Sequence, residues 1–396
     1  MARAQFHDNA DPVAPAAEIR PLLARNAARA ERDRRLPQEN IDALEAANLF
    51  KLMTPRRWNG YGAPLATALN AHAELAKECA STAWVTMIIG ACLWLASLLP
   101  DPGQEEIFES LADLRISGVI SATIKGRRVA GGIRVSGKNG FASGCLHSSW
   151  ALLCFAVEDA VQNVVDQVIG FAPMSEIEIE DTWFVAGMRG TGSNTLVAKD
   201  LFIPDHRIFP LMSALEGAPP RTKHALEISD RWSIAPALPL ILLSPVLGAA
   251  KALLEATVEG SRKRAISYTT YSRQADSAVV QHQMAEAALK IDSASLHWMR
   301  AAGDIDGAAA VGKSLDYLTR ARIRGECGYA ARLVREAVDA LMSVGGGSAF
   351  AEAASIQRMW RDISIASRHG MISAGPDLEM YGRALLGVEG NIAPLI

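Results

Sequence analysis

Apolar and polar positions recur at helical spacing through residues 12–110, with Pro37, Pro55 and Pro100 as punctuation, which predicts an N-terminal helical region. Its acidic and arginine-rich stretch around 18–46 reads as a solvated face. From 116 to 210 the texture changes to short β-branched runs set apart by glycines: ISGVISATI, RVAGGIRVSG, WALLCFAVE, VVDQVIGFAP and NTLVAKDLFIP. Such runs predict a β-domain. The Pro- and Gly-containing stretch PLMSALEGAPPRTKHA at 210–225 reads as a linker. After 226 the helical period returns over roughly 240–270, 280–303, 308–342 and 352–372, segments long enough for a helix bundle. Helix–β–helix order without alternating βα units argues against a doubly wound sheet. The expected division is therefore 1–112 helical, 113–215 β and 216–396 a four-helix bundle.

Composition narrows the function. With 396 residues, 49% apolar and 21% charged, the chain is an ordinary globular protein, larger than one core usually organises. A formal charge of -3 with no basic block argues against nucleic acid. Five cysteines without CxxC spacing suggest neither a disulfide framework nor a zinc site, so no metal is expected and a reducing cytoplasm fits. The N-terminus lacks the apolar stretch of a signal peptide. The longest apolar run, 234–254, is broken by prolines and Lys251 and reads as a buried helix start rather than a membrane span.

Several segments carry candidate chemistry. No strand–GxGxxG–helix fingerprint supports a Rossmann-type NAD(P)H site. Arg189-Gly190-Thr191-Gly192-Ser193 offers backbone N–H groups, hydroxyls and a guanidinium beside the β-domain, suited to a phosphate or the polar edge of a flavin, although a tight turn needs no more than this. Gly345-Gly346-Gly347 lies between two helices, where backbone can cap a helix or approach a ligand closely. In IQRMWRDISIASRHG (356–370), Asp362 and His369 stand two helical turns apart, as if on one face, and Arg358 with Asp362 has the spacing of an ion pair. Trp150 and Trp183 suit either a cofactor contact or the β-domain core, and His147 reads as an exposed strand-end residue.

Taken in order, the WV–G–W segment at 84–94, FASGCLHSSW at 141–150, DTWFVAGMRGTGS at 181–193, the R–AD–Q set at 273–281, GGGSAF, and QRMWRD leading to His369 resemble the acyl-CoA dehydrogenase superfamily. Within it they resemble the two-component flavin-dependent monooxygenases related to 4-hydroxyphenylacetate hydroxylase oxygenase subunits. The resemblance covers nearly the whole chain. It implies a mostly α fold with a central β-barrel domain between an N-terminal helical domain and a C-terminal four-helix bundle.

The resemblance also implies an activity. Reduced FMN or FAD, supplied by a separate NAD(P)H-dependent reductase, would react with O2 to a C4a-hydroperoxide and pass one oxygen to a phenol- or indole-like substrate, or to nitrogen or sulfur. His369 and Ser143 would act at the oxygen-transfer site, His369 as hydrogen-bond partner or base and Ser143 as donor. Residues 189–193, Trp150, Arg273, Gln281 and the 345–347 loop would hold the cofactor, Arg273 and Gln281 from a neighbouring subunit of a tetramer. Trp84, Cys92 and Trp94 would wall the substrate pocket; Cys92 stands where many phenol-hydroxylating relatives have a histidine. A dehydrogenase of the common type would place a glutamate soon after the RD pair, and RDISIASRHG has none.

Overall fold

The computed structural model describes residues 11–110, 113–209, 211, 215, 222–390 and 392–393; the N-terminal ten residues, much of the expected linker, and one residue beside each expected domain boundary lie outside the described residues. The first helices are α1 (Val13–Glu18), α2 (Arg20–Asp33), α3 (Gln38–Ala46), α4 (Leu65–Ala76), α5 (Ala80–Ala96) and α6 (Asp101–Ser110). Every residue of α5 except Ile88 is buried, so this helix is a central strut rather than an amphipathic surface element.

Strands β1 (Ile116–Val129), β2 (Gly132–Ala142), β3 (Trp150–Glu158), β4 (Val164–Pro173), β5 (Glu178–Glu180), β6 (Asn194–Pro204) and β7 (Ile208–Phe209) form one mixed sheet in the order β5-β6-β2-β1-β3-β4-β7. β1 and β3 run parallel; the other pairs are antiparallel. The sheet curls on itself. A Cβ built on Gly170 of β4 would lie 2.9 Å from Cδ1 of Ile203 on β6, although three strands separate the two in the sheet. The enclosed side chains, among them Ile133, Phe155, Val168 and Ile203, form a core separate from that of the helices.

The remaining helices are α7 (Ile234–Ile241), α8 (Leu243–Ser261), α9 (Ala278–Ala310), α10 (Tyr317–Gly345), α11 (Ser355–Ala366) and α12 (Ala374–Leu386). The helical period predicts a helix over roughly 240–270, but α8 ends at Ser261, before a polar segment in which Tyr268 takes φ 61°. α12 is a separate helix that the pattern did not set apart. Residues 234–261 are apolar and long enough to cross a membrane, yet most of this stretch is buried inside the protein. The reason is visible at Gly248, where an added Cβ would fall 2.0 Å from the carbonyl oxygen of Ala73 on α4. Helices from before and after the sheet thus share one continuous core.

Candidate functional site

The register of the sheet places the first two candidate segments side by side. Ala142 at the end of β2 pairs with Asn194 at the start of β6, which sets Ser143 opposite Ser193 in the antiparallel ladder. Their hydroxyls lie 2.7 Å apart. Gly144 takes φ +77°, and a Cβ there would meet Val85 of α5 at 2.9 Å, so glycine lets this turn close onto the helix that carries Trp84. Trp84 Nε1 then donates to Ser143 Oγ at 3.1 Å.

The 189–193 segment is a short 3-10 turn entered through Met188 at φ 55° and left through Gly192 at φ 52°. Thr191 Oγ1 donates to the carbonyl of Met188 at 2.8 Å and meets Ser193 Oγ at 2.6 Å. Gly190 packs against Ser81 and Ala30. The turn therefore orders Ser193 and, through it, Ser143.

QRMWRD grips the same turn from the other side. Arg361 donates to the carbonyl of Ala186 and pairs with Glu31 on α2, while Asp362 accepts the backbone N–H of Met188. Between them Gly187 passes so close that a Cβ would sit 2.5 Å from the carbonyl oxygen of Arg361. Asp362 thus satisfies a buried backbone donor, and the expected Arg358 pair does not form among the described contacts. Burial raises the Asp362 carboxyl to about 6 against the pull of the Met188 N–H.

His369 lies beyond this helix. α11 ends at Ala366, with Arg335 donating to the carbonyl of Ser367 at 2.6 Å, so Asp362 and His369 share no helix face. His369 instead caps the 3-10 turn Gly370–Ile372, its Nδ1 accepting from Met371 N at 3.2 Å. Its ring centroid is 5.9 Å from that of Trp84. One side of the imidazole is open while protein surrounds the rest; desolvation, then the positive charge of Arg324, lowers its pKa to about 4. The ring is neutral at physiological pH. Because Met371 occupies Nδ1 as a donor, the proton of the neutral ring sits on Nε2. His369 therefore presents an N–H donor, for which no partner exists among the described residues, rather than the base the sequence suggested as one role.

Ser143 is corrected in the opposite sense. Trp84 N–H can only donate and the Met188 carbonyl can only accept, so the chain between them runs one way. Trp84 donates to Ser143, Ser143 to Ser193, Ser193 to Thr191 and Thr191 to Met188. The Ser143 proton is used inside the protein, and what remains for a ligand is a lone pair.

Other expected site residues fall elsewhere. Cys92 lies on the Trp84–Ile88 face of α5 two turns along, its thiol pushed up to about 12 by burial, which makes it an apolar lining group. Trp94 is fully enclosed, donating to the Ser229 carbonyl at 2.8 Å and packing edge-on to Trp232, so it walls no open surface. Trp150 donates to Ser110 Oγ and lies under Arg207, contacts away from the hydroxyl chain. Trp183 is buried and donates to the Met188 carbonyl. His147 is half-buried in a 3-10 turn rather than exposed at a strand end; burial, then Arg35 and Arg115, lowers it to about 4.

Arg273 pairs locally with Asp276 at 2.7 Å, and Gln281 donates to the Ala275 carbonyl; both are exposed. Gln274 donates to the Val344 carbonyl at 3.0 Å, which ties this segment to the 345–347 loop. In that loop Gly345 is buried, Gly346 takes φ +62°, and a Cβ on Gly346 or Gly347 would meet nothing within 4 Å. The loop is open backbone.

Two residues were missed. Arg324 on α10 donates through Nε to Asp377 on α12 at 2.7 Å; both are buried, and Arg324 Nη1 and Asp377 Oδ2 have no partner. Burial raises the Asp377 carboxyl to about 6 in spite of Arg324. The available signal was RGECG inside a helix. Gly325 and Gly328 admit Tyr381 and Asp377 to van der Waals contact with α10, and glycines mid-helix mark such a close approach.

These groups suit a flavin. The turn offers Arg189, whose buried Nε has no partner, the 345–347 loop offers open space beside Gly346 and Gly347, Ser143 offers an acceptor and His369 a donor. No group of three or more metal-ligating side chains occurs among the described residues.

Comparisons with known proteins point the same way. Residues 240–374 match the family model "Acyl-CoA dehydrogenase, C-terminal domain". The chain is 31% identical over 374 residues to the flavin-dependent monooxygenase oxygenase subunit HsaA of Rhodococcus jostii strain RHA1, covering 93% of this chain and 96% of the relative. It is 30% identical over 391 residues to the FADH(2)-dependent resorcinol hydroxylase oxygenase component of Rhizobium sp. strain MTP-10005, covering 94% and 93%. Among solved structures, XiaF from Streptomyces sp. in complex with FADH2 and glycerol superposes with a TM-score of 0.92 at 32% identity, covering 97% of each chain.

Proposed function

The chain belongs to the flavin-dependent monooxygenases as an oxygenase component, and from that premise we propose how its own residues serve the hydroxylation of an aromatic or heteroaromatic small molecule. The observation that carries the proposal is the meeting of Trp84, Ser143 and His369 at the end of the 189–193 turn. A reduced flavin bound there supplies activation of O2 and transfer of one oxygen atom.

Around it, Arg189 and the turn hold the polar edge of the cofactor, and the 345–347 loop admits its phosphate side. Arg273 and Gln281, exposed on the segment that Gln274 ties to the Val344 carbonyl, serve a neighbouring copy in a homotetramer. Trp84, Ile88 and Cys92 form an apolar wall that excludes water. His369 Nε2–H hydrogen-bonds the oxygen being transferred or the substrate oxygen and stays neutral while doing so. The cofactor is reduced FMN or FAD, delivered by a separate NAD(P)H-dependent reductase, since the chain carries no nicotinamide fingerprint of its own. A phenol or indole is the fitting substrate class, and resorcinol, the phenol in one relative's name, is the first to try.

A thioester-dehydrogenating reading lacks its base: Asp362 is turned to Met188 and Asp377 to Arg324, and neither carboxylate faces Ser143. The test is His369→Ala. We expect reduced-flavin binding to persist, product to fall about a hundredfold, the usual scale for one transition-state hydrogen-bond donor, and H2O2 to take its place. Unchanged product would remove His369 from the reaction.

A further inference from the structure

We propose that the buried Arg324–Asp377 pair positions His369: it seats the turn that His369 caps, and its positive member stands against a second proton on the ring. The consequence for the reaction rests on the reading of His369 as an N–H donor.

Arg324 donates through Nε to Asp377 Oδ1 at 2.7 Å, and the two residues are 7% and 0% exposed. Gly328, one turn along α10, makes room for the pair. A Cβ there would lie 2.7 Å from Cβ of Asp377 and 2.9 Å from Cα of Ala374, the first residue of α12, so the start of α12 is seated directly on α10. The turn Gly370–Ile372 enters that helix through Ser373, whose carbonyl accepts the N–H of Asp377 at 3.1 Å. His369 holds the other end of the turn: its carbonyl accepts from Ile372 N at 3.0 Å and its Nδ1 from Met371 N at 3.2 Å.

The ionisable groups of the elements around this turn are few. α5 brings Trp84 and, two turns along, the neutral thiol of Cys92, and α7 brings no ionisable side chain. α10 brings Arg324, the neutral thiol of Cys327, and Arg335, which donates to the Ser367 carbonyl. α12 brings Asp377, and the chain entering the turn brings the exposed Arg368, which donates to the Ser364 carbonyl. Of these, Arg324 is the cation that adds to desolvation in disfavouring the imidazolium. Its Nη1 is buried without an acceptor, so one bond to Asp377 leaves its charge incompletely matched. That atom is also closed to solvent. The pair therefore acts through His369 and is not itself a binding site.

The experiment is an NMR titration of the histidine rings in the intact flavin-free protein, with the His369 signal assigned by its loss in His369→Gln. Arg324→Met removes the charge and should raise the His369 midpoint from about 4 by about one unit, a tenfold gain in proton affinity. Arg324→Lys keeps the charge and should stay within about half a unit of wild type. Asp377→Asn keeps an acceptor for Arg324 Nε but removes the countercharge, so the midpoint should hold or fall. Should Arg324→Met fail to fold around a stranded Asp377, the double variant Arg324→Met, Asp377→Leu replaces the pair with apolar groups of similar bulk and carries the same upward expectation.

A merely structural role would admit water to the ring whichever member is lost, and the midpoint would rise in Asp377→Asn as well as in Arg324→Met. That result, or no movement in Arg324→Met, overturns the inference. Product yield is the second readout: where the midpoint rises, the acid limb of yield against pH should move up with it. Midpoints that move while the limb stays would uphold the pair and overturn instead the reading of His369 in the reaction.

Discussion

The two sides of the site differ in how their polar groups are satisfied. On the sheet side every hydroxyl from Trp84 to Met188 has its partner inside the protein, and the turn that holds them is clamped by Arg361 and Asp362. On the bundle side, His369 Nε2–H, Arg324 Nη1 and Asp377 Oδ2 have no partner among the described residues. Buried polar groups are normally paired, so the closed hydroxyl chain on the first side contrasts with the unpaired Arg324 Nη1 and Asp377 Oδ2 on the second, although the sheet-side turn keeps one such atom of its own, Arg189 Nε. Under the proposed function, the sheet side would place the cofactor and His369 would meet what reacts.

The sharpest way to break this contrast is at His369. His369→Gln keeps an N–H donor, and His369→Phe fills similar space without one. If the donor is what matters, Phe loses about a hundredfold in product yield and Gln recovers part of it; equal losses would assign the residue to packing.

A smaller effect is expected at the clamp. Asp362→Ala leaves the buried Met188 N–H without an acceptor and lowers stability by about 1–3 kcal/mol in thermal or denaturant unfolding, whereas Asp362→Asn retains a carbonyl oxygen and most of that stability. Equal losses in the two variants would show that the N–H finds another acceptor.

The contrast is sharpened by titration. The native imidazole of His369, at about 4, lies below the ordinary value, so its neutral form is favoured by folding. Its contribution is fully present above the unfolded value near 6.5 and is lost as pH falls toward 4. Asp362 and Asp377, raised to about 6, act in the opposite sense: each favours the native state when protonated and loses that advantage as pH rises through 6. An NMR titration of the flavin-free protein should place His369 near 4. A midpoint near 6.5 would restore it as a candidate base.

Much of this was legible in the sequence, and for physical reasons. Helical period, β-branched runs and their order suffice for the helix–sheet–helix plan, because burial demands them. FASGC, RGTGS and the QRMWRD-to-His369 segment were marked as chemistry, and the fold joins them. What the residues could not convey was direction. The sheet register that pairs Ala142 with Asn194, and hence Ser143 with Ser193, exists only once β2 and β6 are aligned. Just past the end of α11 at Ala366, the Ser367 carbonyl accepts from Arg335, far away in the chain. The resemblance implies Trp94 as a pocket wall, whereas its partners, Ser229 and Trp232, are visible only in three dimensions. Arg324 and Asp377 went unmarked because an arginine and an aspartate 53 residues apart carry no local pattern.

The most direct test of the whole account is anaerobic mixing of the protein with reduced FMN, and separately FAD, followed by admission of O2 in a stopped-flow spectrophotometer. The account predicts that one flavin reoxidises in two phases separated by a long-lived transient, that a phenol or indole shortens its life, and that hydroxylated product appears in proportion. Reoxidation in a single phase at the rate of free flavin, with H2O2 as the sole product for both cofactors, would contradict it.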